Sequence, residues 1–149
     1  MTGEFPFEVQ ATGTERLILQ ATYEALLEHG YAELTITRIG DHFVKTNSLI
    51  YQYYNSKDEL LVELLRQLLA QLREISVDES GDAHKQLVAA VRPKSQADPA
   101  IGELVTAALI LRAQAPHNAA FGREFRKLDE AYIGHIIELI KLGIEQGQY

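Results

Sequence analysis

The sequence predicts an all-α chain, and three observations carry that prediction. Apolar residues recur at three- and four-residue intervals along nearly all of its 149 residues, the spacing that gives a helix one greasy face. Glycine and proline, ten and four in number, interrupt this pattern sparsely. Strand-like alternation is confined to LTITRI, Leu34 to Ile39, which is too short to build a sheet.

Residues 1–12 read as a loose arm. The first helix is expected from Thr14 to His29, opened by a capping box of Thr12 with Glu15 and closed by Gly30 as the C-terminal cap. Its apolar stripe is Leu17, Ile18, Ala21, Ala25 and Leu26. Thr35 is placed to cap a short second helix, Ile36 to Phe43, and Thr46 to cap a third, Asn47 to Tyr53. Ser56 and Glu59 form a capping box that opens a long fourth helix reaching Ser76. Leu60, Leu61, Leu64, Leu65, Leu68 and Leu72 mark its buried side. VDESGD is a break. A fifth helix spans Ala83 to Val91, the polar loop RPKSQADP follows, and a sixth helix runs from Ala100 to Gln114. Pro116 starts the turn into a seventh, Asn118 to Gln146. That last helix carries two stripes: Phe121, Phe125, Leu128, Tyr132, Ile136 and Leu139, and beside them Ile133, Ile137, Ile140 and Ile144. An apolar surface so broad needs cover on two sides.

Composition removes several classes of function. Hydrophobic residues make up 46%, enough for a real core. With no cysteine there is no disulfide, thiolate metal site or cysteine nucleophile. The opening MTGEFPFEVQ lacks the basic and apolar regions of a secretory signal, and no apolar run is long enough for a membrane span, so a cytoplasmic protein without a membrane partner is expected. There is no phosphate-cradling glycine loop, nucleophile elbow or HExxH, and carboxylate pairs such as Asp129-Glu130 fall on helix surfaces, so neither an enzyme nor a bound cofactor is expected. The five histidines, at 29, 42, 84, 117 and 135, are scattered; His135 and Glu138 have helical metal-ligand spacing but no third ligand, so no metal is expected.

The net charge of −7 argues against phosphate binding, and residues 1–66 hold ten acids and five bases. Within them, however, the sixteen residues between Asp41 and Asp58, HFVKTNSLIYQYYNSK, contain two lysines and no acid. Three short helices, two of them joined by a tight turn, make a helix-turn-helix, whose last helix must be greasy on one face and hydrogen-bonding on the other to enter a major groove. In TNSLIYQYY, Leu49 and Ile50 can face inward while Thr46, Asn47, Ser48, Tyr51 and Gln52 face out. Asn and Gln pair bidentately with adenine, and Ser or Thr reach several base edges. The bland alternatives are that Asn47 only caps its helix, that Tyr51, Tyr53 and Tyr54 are packing aromatics (Tyr54 above all), and that Lys57 is merely solvated.

From Arg16 to Leu61 the chain resembles the N-terminal module of the TetR family. The features that carry this are Gly30-Tyr31 at the end of the first helix, Thr35 opening the second, Ile39, then Tyr51 twelve residues on, Tyr54 three further, and Ser56, Lys57, Leu60 and Leu61 as Ser-Lys-x-x-Leu-Leu. The resemblance implies that Thr46, Asn47 and Ser48 approach bases while Tyr51, Tyr53, Lys57 and Thr35 hold the DNA backbone, contacts that position the helix without reading sequence. Where the family has Ala-Gly-Val-Ser at the turn, this chain has Phe43-Val44-Lys45-Thr46, a variant similar to archaeal members. Val44 in place of the glycine makes a left-handed turn residue strained, and Lys45 must snorkel or point at DNA.

The fold class expected is therefore all-α, with a three-helix DNA-binding module at 13–55 and a helical body at 56–149 whose helix 56–76 is the connector. By the resemblance, the body binds a small apolar or amphipathic effector and dimerises; the stretch from Pro116 to Tyr149 is similar to its long central helix. The two further helices that usually pair the family's dimers have no counterpart before Tyr149, so the chain is expected to be a fragment or unusually short. The function this implies is an effector-responsive repressor binding a palindromic double-stranded operator as a homodimer. The rival is a protein-interaction module, or a truncated regulator that partners a relative instead of DNA.

Overall fold

A computed structural model describes residue 11 and residues 13–72, 77–92 and 99–149. Among these, every regular element is helical: α1 (Gly13–His29), α2 (Ile36–Asp41), α3 (Asn47–Tyr53), α4 (Lys57–Leu72), α5 (Ala83–Val91), α6 (Pro99–Arg112) and α7 (Ala119–Glu145), with a 3₁₀ turn at Ala115–His117. The expected arm apart from Ala11, the Thr12 cap, the last turn of the fourth helix and most of RPKSQADP lie outside the described residues. No described helix is long and apolar enough to cross a membrane.

Local chemistry explains most of the boundaries. Gly30 closes α1 at φ 73°, a left-handed cap that glycine adopts freely, with its amide donating to Leu26 O at 2.9 Å. The strand-like LTITRI turns helical from Ile36 because Thr35, itself extended, caps α2; its Oγ1 accepts from the Arg38 amide at 3.1 Å. This helix ends at Asp41, two residues before the expected Phe43. Phe43 turns into the core and its amide donates to Gly40 O in a tighter i→i−3 bond. Ser56 Oγ accepts from the Glu59 amide at 3.1 Å, and the Glu59 carboxylate reaches back to the amide of Asn55 at 2.9 Å, one residue earlier than in a standard capping box. Pro99 begins α6, where its missing N–H costs nothing. That helix ends at Arg112 rather than Gln114, as the chain tightens towards the turn containing Pro116. Asn118 caps α7 by accepting from the amides of Ala120 and Phe121.

One buried cluster runs through all of this. α4 is its axis: Leu60, Leu61, Leu64, Leu65, Leu68 and Leu69 are fully buried because α4 packs against α1, α6 and α7 at once. The Leu72 side chain lies outside the described residues. Surrounded by α2, α4 and α6, α1 buries more than the predicted stripe, adding Leu19, Thr22 and Tyr23, while Leu17 is left at the edge, 37% exposed. The Thr22 hydroxyl donates to Ile18 O, so its burial leaves no orphan group. Tyr31 meets Phe121 edge-on, ring centroids 6.4 Å apart, and so joins the end of α1 to the start of α7. Of the α7 stripes, the first packs inward through Phe121, Phe125 and Leu139, although Tyr132 is exposed. The second, Ile133, Ile137, Ile140 and Ile144, faces outward along its whole length.

The start of α5 is held by distant residues. Asp82 accepts from the Lys85 amide, Gln146 Oε1 accepts from the Ala83 amide and Gln148 Oε1 from the His84 amide, each at 3.0 Å. Gln146 Nε2 donates to Gly81 O at 2.7 Å, and Gln148 Nε2 to Asp82 at 3.0 Å. The free donors of the first turn are thus satisfied by the Asp82 cap and by the segment that follows α7.

Candidate nucleic-acid interface

The reading unit is α2, a turn over residues 42–46, and α3. Seven residues are too few for a stable isolated helix, so α3 depends on its inward side, where Ile50 is fully buried and Leu49 half-buried. Fixing those two positions points the rest outward. Thr46, Asn47, Ser48, Tyr51, Gln52 and Tyr53 are all exposed, and Asn47, Ser48, Tyr51 and Gln52 share one helical face.

The turn resolves the strain expected of Val44. No described residue other than glycine has a positive φ, so the chain rounds the corner without a left-handed residue, and Val44 projects into solvent at 82% exposure. Lys45 is exposed too; its ammonium donates to Thr14 Oγ1 at 3.3 Å and ties the turn to the start of α1. Thr46 occupies the N-cap position of α3 but its hydroxyl makes no cap bond; it lies 3.2 Å from Ser48 Oγ instead. Asn47 rests its amide against Gly40 of α2, where a Cβ on residue 40 would collide with it. A side chain at position 40 would therefore displace the Asn47 amide, a group of the type that pairs with adenine.

Beyond α3, Thr35 is exposed at the head of α2, its hydroxyl engaged in capping. Lys57 sits at the start of α4 with its ammonium 4.4 Å from the centre of the Tyr31 ring, a cation–π contact. The Tyr31 hydroxyl donates to Asp58 at 2.8 Å, and burial, then that bond and charge, push its pKa up. Tyr54, expected in the core, is buried there, and its hydroxyl donates to Glu15 at 2.8 Å. Burial and the Glu15 carboxylate together hold its phenol well above the ordinary value. Gly30-Tyr31 and Ser56-Lys57 therefore meet in space: the glycine aims the tyrosine, and the tyrosine supports the lysine. Sequence reading missed this pairing, as it missed Thr14 and Gly40, because each lies on a different element from its partner. Tyr51 and Tyr53, unlike Tyr54, are exposed at 54% and 46%, so neither is a packing aromatic.

The arrangement offers two amides, two hydroxyls and two phenols on or beside one exposed helix, with lysines before and after it and no carboxylate between residues 42 and 57. Such a surface suits hydrogen bonding to base edges and to phosphates.

Comparison with known proteins agrees with this geometry. The family profile described as "Bacterial regulatory proteins, tetR family" matches residues 18–64, which span α2, α3 and most of α1. A TetR transcription regulator from Haloarcula marismortui ATCC 43049 is similar in structure at a TM-score of 0.77 and 37% identity, covering 91% of this chain and 72% of that one. A TetR-family regulator from Rhodococcus sp. matches at a TM-score of 0.70 and 18% identity over 91% of this chain and 74% of the other. The transcriptional regulator FadR from Bacillus subtilis, solved with stearoyl-CoA, matches at 0.66 and 20% identity over 89% and 72%. No curated protein matches. With a relative 37% identical over 91% of this chain, and the helix-turn-helix built as above, the chain belongs to the TetR family of transcription regulators.

Proposed function

We propose that this regulator is an effector-responsive repressor that binds a palindromic operator as a homodimer through α3. The observation that carries the reading is the outward face of α3: Asn47, Ser48, Tyr51 and Gln52 exposed together, inside a sixteen-residue segment without an acid, on a protein of net charge −7. Thr46, Asn47, Ser48 and Gln52 are assigned to base edges. Thr35, Lys45, Tyr51, Tyr53 and Lys57 are assigned to the phosphate backbone. Two heads are needed because one helix-turn-helix makes few contacts, and the exposed isoleucine stripe of α7 supplies an apolar surface for joining two copies. The effector part of the reading draws on FadR, whose bound stearoyl-CoA is amphipathic, together with the shared fold.

The test is a titration against the native upstream DNA and a scrambled control over a range of salt, with Lys57→Ala and Tyr51→Ala alongside. Tight, selective binding is expected, with both variants weakened and the log–log salt slope reduced by about one for Lys57→Ala. Equal, weak binding to both DNAs would instead favour the protein-interaction reading, towards which the ten acids and five bases of residues 1–66 point.

A further inference from the structure

We propose that Glu28, His29 and His42 form a binding site for a divalent transition-metal cation of the Zn²⁺ type, bracing the end of α1 against the end of α2. His29 is the last residue of α1 and His42 the C-cap of α2. Folding brings their rings to one carboxylate: Glu28 Oε2 lies 2.6 Å from His42 Nε2 and 3.6 Å from His29 Nε2. One ligand atom from each of the three residues falls within 4.8 Å of the other two. Ligands about 2.0–2.1 Å from a tetrahedral ion stand roughly 3.4 Å apart. Closure therefore needs small side-chain rotations, which the exposed Glu28 is free to make.

A fourth residue makes this more than an ion pair. Glu24 Oε2 lies 3.3 Å from His42 Nδ1, one turn before Glu28 on α1, and its side chain is only 15% exposed. With an ion on Nε2, the Glu24 carboxylate would keep the ring's remaining proton on Nδ1, the outer-shell arrangement that orients histidine ligands in zinc sites. The set of two imidazoles and one carboxylate suits Zn²⁺ and its neighbours, with a fourth position left to water. His42 is the first residue of the turn into α3, so a bound ion would fix the angle of the reading helix relative to α1.

The test uses the metal-free full chain and Co²⁺ as probe, with no DNA present, so its outcome is independent of the operator reading. One equivalent of Co²⁺ should produce the intense visible bands of a tetrahedral ion, bleached by Zn²⁺. His29→Gln and His42→Gln should each weaken binding about a hundredfold. Glu24→Gln, which touches no metal, should weaken it about ten- to a hundredfold. Should His42→Gln disturb the fold by circular dichroism, His29→Gln at the solvent-facing helix end decides alone. Weak octahedral bands, or equal affinity for the wild type and His29→Gln, would overturn the proposal and leave the cluster as an ion pair around His42.

Discussion

Tyr23 lies in the core of α1 with its phenol pushed up to about 12, chiefly by burial and further by the charge of Glu103. Because the folded-state value is raised, its contribution to stability is complete below pH 10, where the phenol is protonated in both states. It is lost as the pH climbs from 10 towards 12, where the unfolded phenol ionises and the folded one resists. Denaturant midpoints should therefore fall over that window in the wild type and fall less in Tyr23→Phe; parallel curves would show that Tyr23 ionises freely. At the scale of single residues the sequence was only partly legible. The outward residues of α3 could be read because a short helix with Leu49 and Ile50 inward leaves few other choices. The approach of His29 to His42, of Asn47 to Gly40 and of Lys57 to Tyr31 could not, since each pair is set by how one helix crosses another rather than by local spacing. Thr46 shows the limit from the other side: its position as N-cap was readable, but its hydroxyl turned to Ser48 rather than to the helix.

Among the elements, α3 and α5 were predicted at their observed limits, and α2 and α6 end two residues early where a buried aromatic or the turn containing Pro116 redirects the chain. Otherwise α1, α6 and α7 differ by one residue at one or both ends, and the expected end of the fourth helix at Ser76 lies outside the described residues. Helical periodicity and caps are local signals, which is why boundaries were accessible. The support of α5 was not, because its donors are met by Gln146 and Gln148 from far along the chain. Gln146→Ala should leave the amide of the buried Ala83 and the carbonyl of Gly81 without these partners. The expected loss is about 1–3 kcal/mol in urea unfolding, with faster hydrogen exchange confined to α5. A loss spread evenly over all helices would show that the glutamine supports the whole molecule instead.

For the whole molecule, the all-α architecture followed from periodicity, and the buried side of α4 from its leucine stripe, while the helices that cover it, α1, α6 and α7, did not. What periodicity could not decide was which of the two α7 stripes faces in. The aromatic one does, because Phe121 and Phe125 fill space beside α4 and α6, and the isoleucine one is left outside. Replacing Ile137, 46% exposed, with lysine should leave circular dichroism unchanged but shift sedimentation from dimer to monomer. A wild type that is already monomeric at high concentration would remove the homodimer from the proposed function.

The clasp on α5 also constrains how the chain is made. Its glutamines lie 63 to 66 positions after the groups they hold. On the ribosome α5 waits, its first turn open to water, until all of α7 and the glutamines after it have been synthesised. A polypeptide interrupted before Gln146 would leave translation with that helix still unlatched.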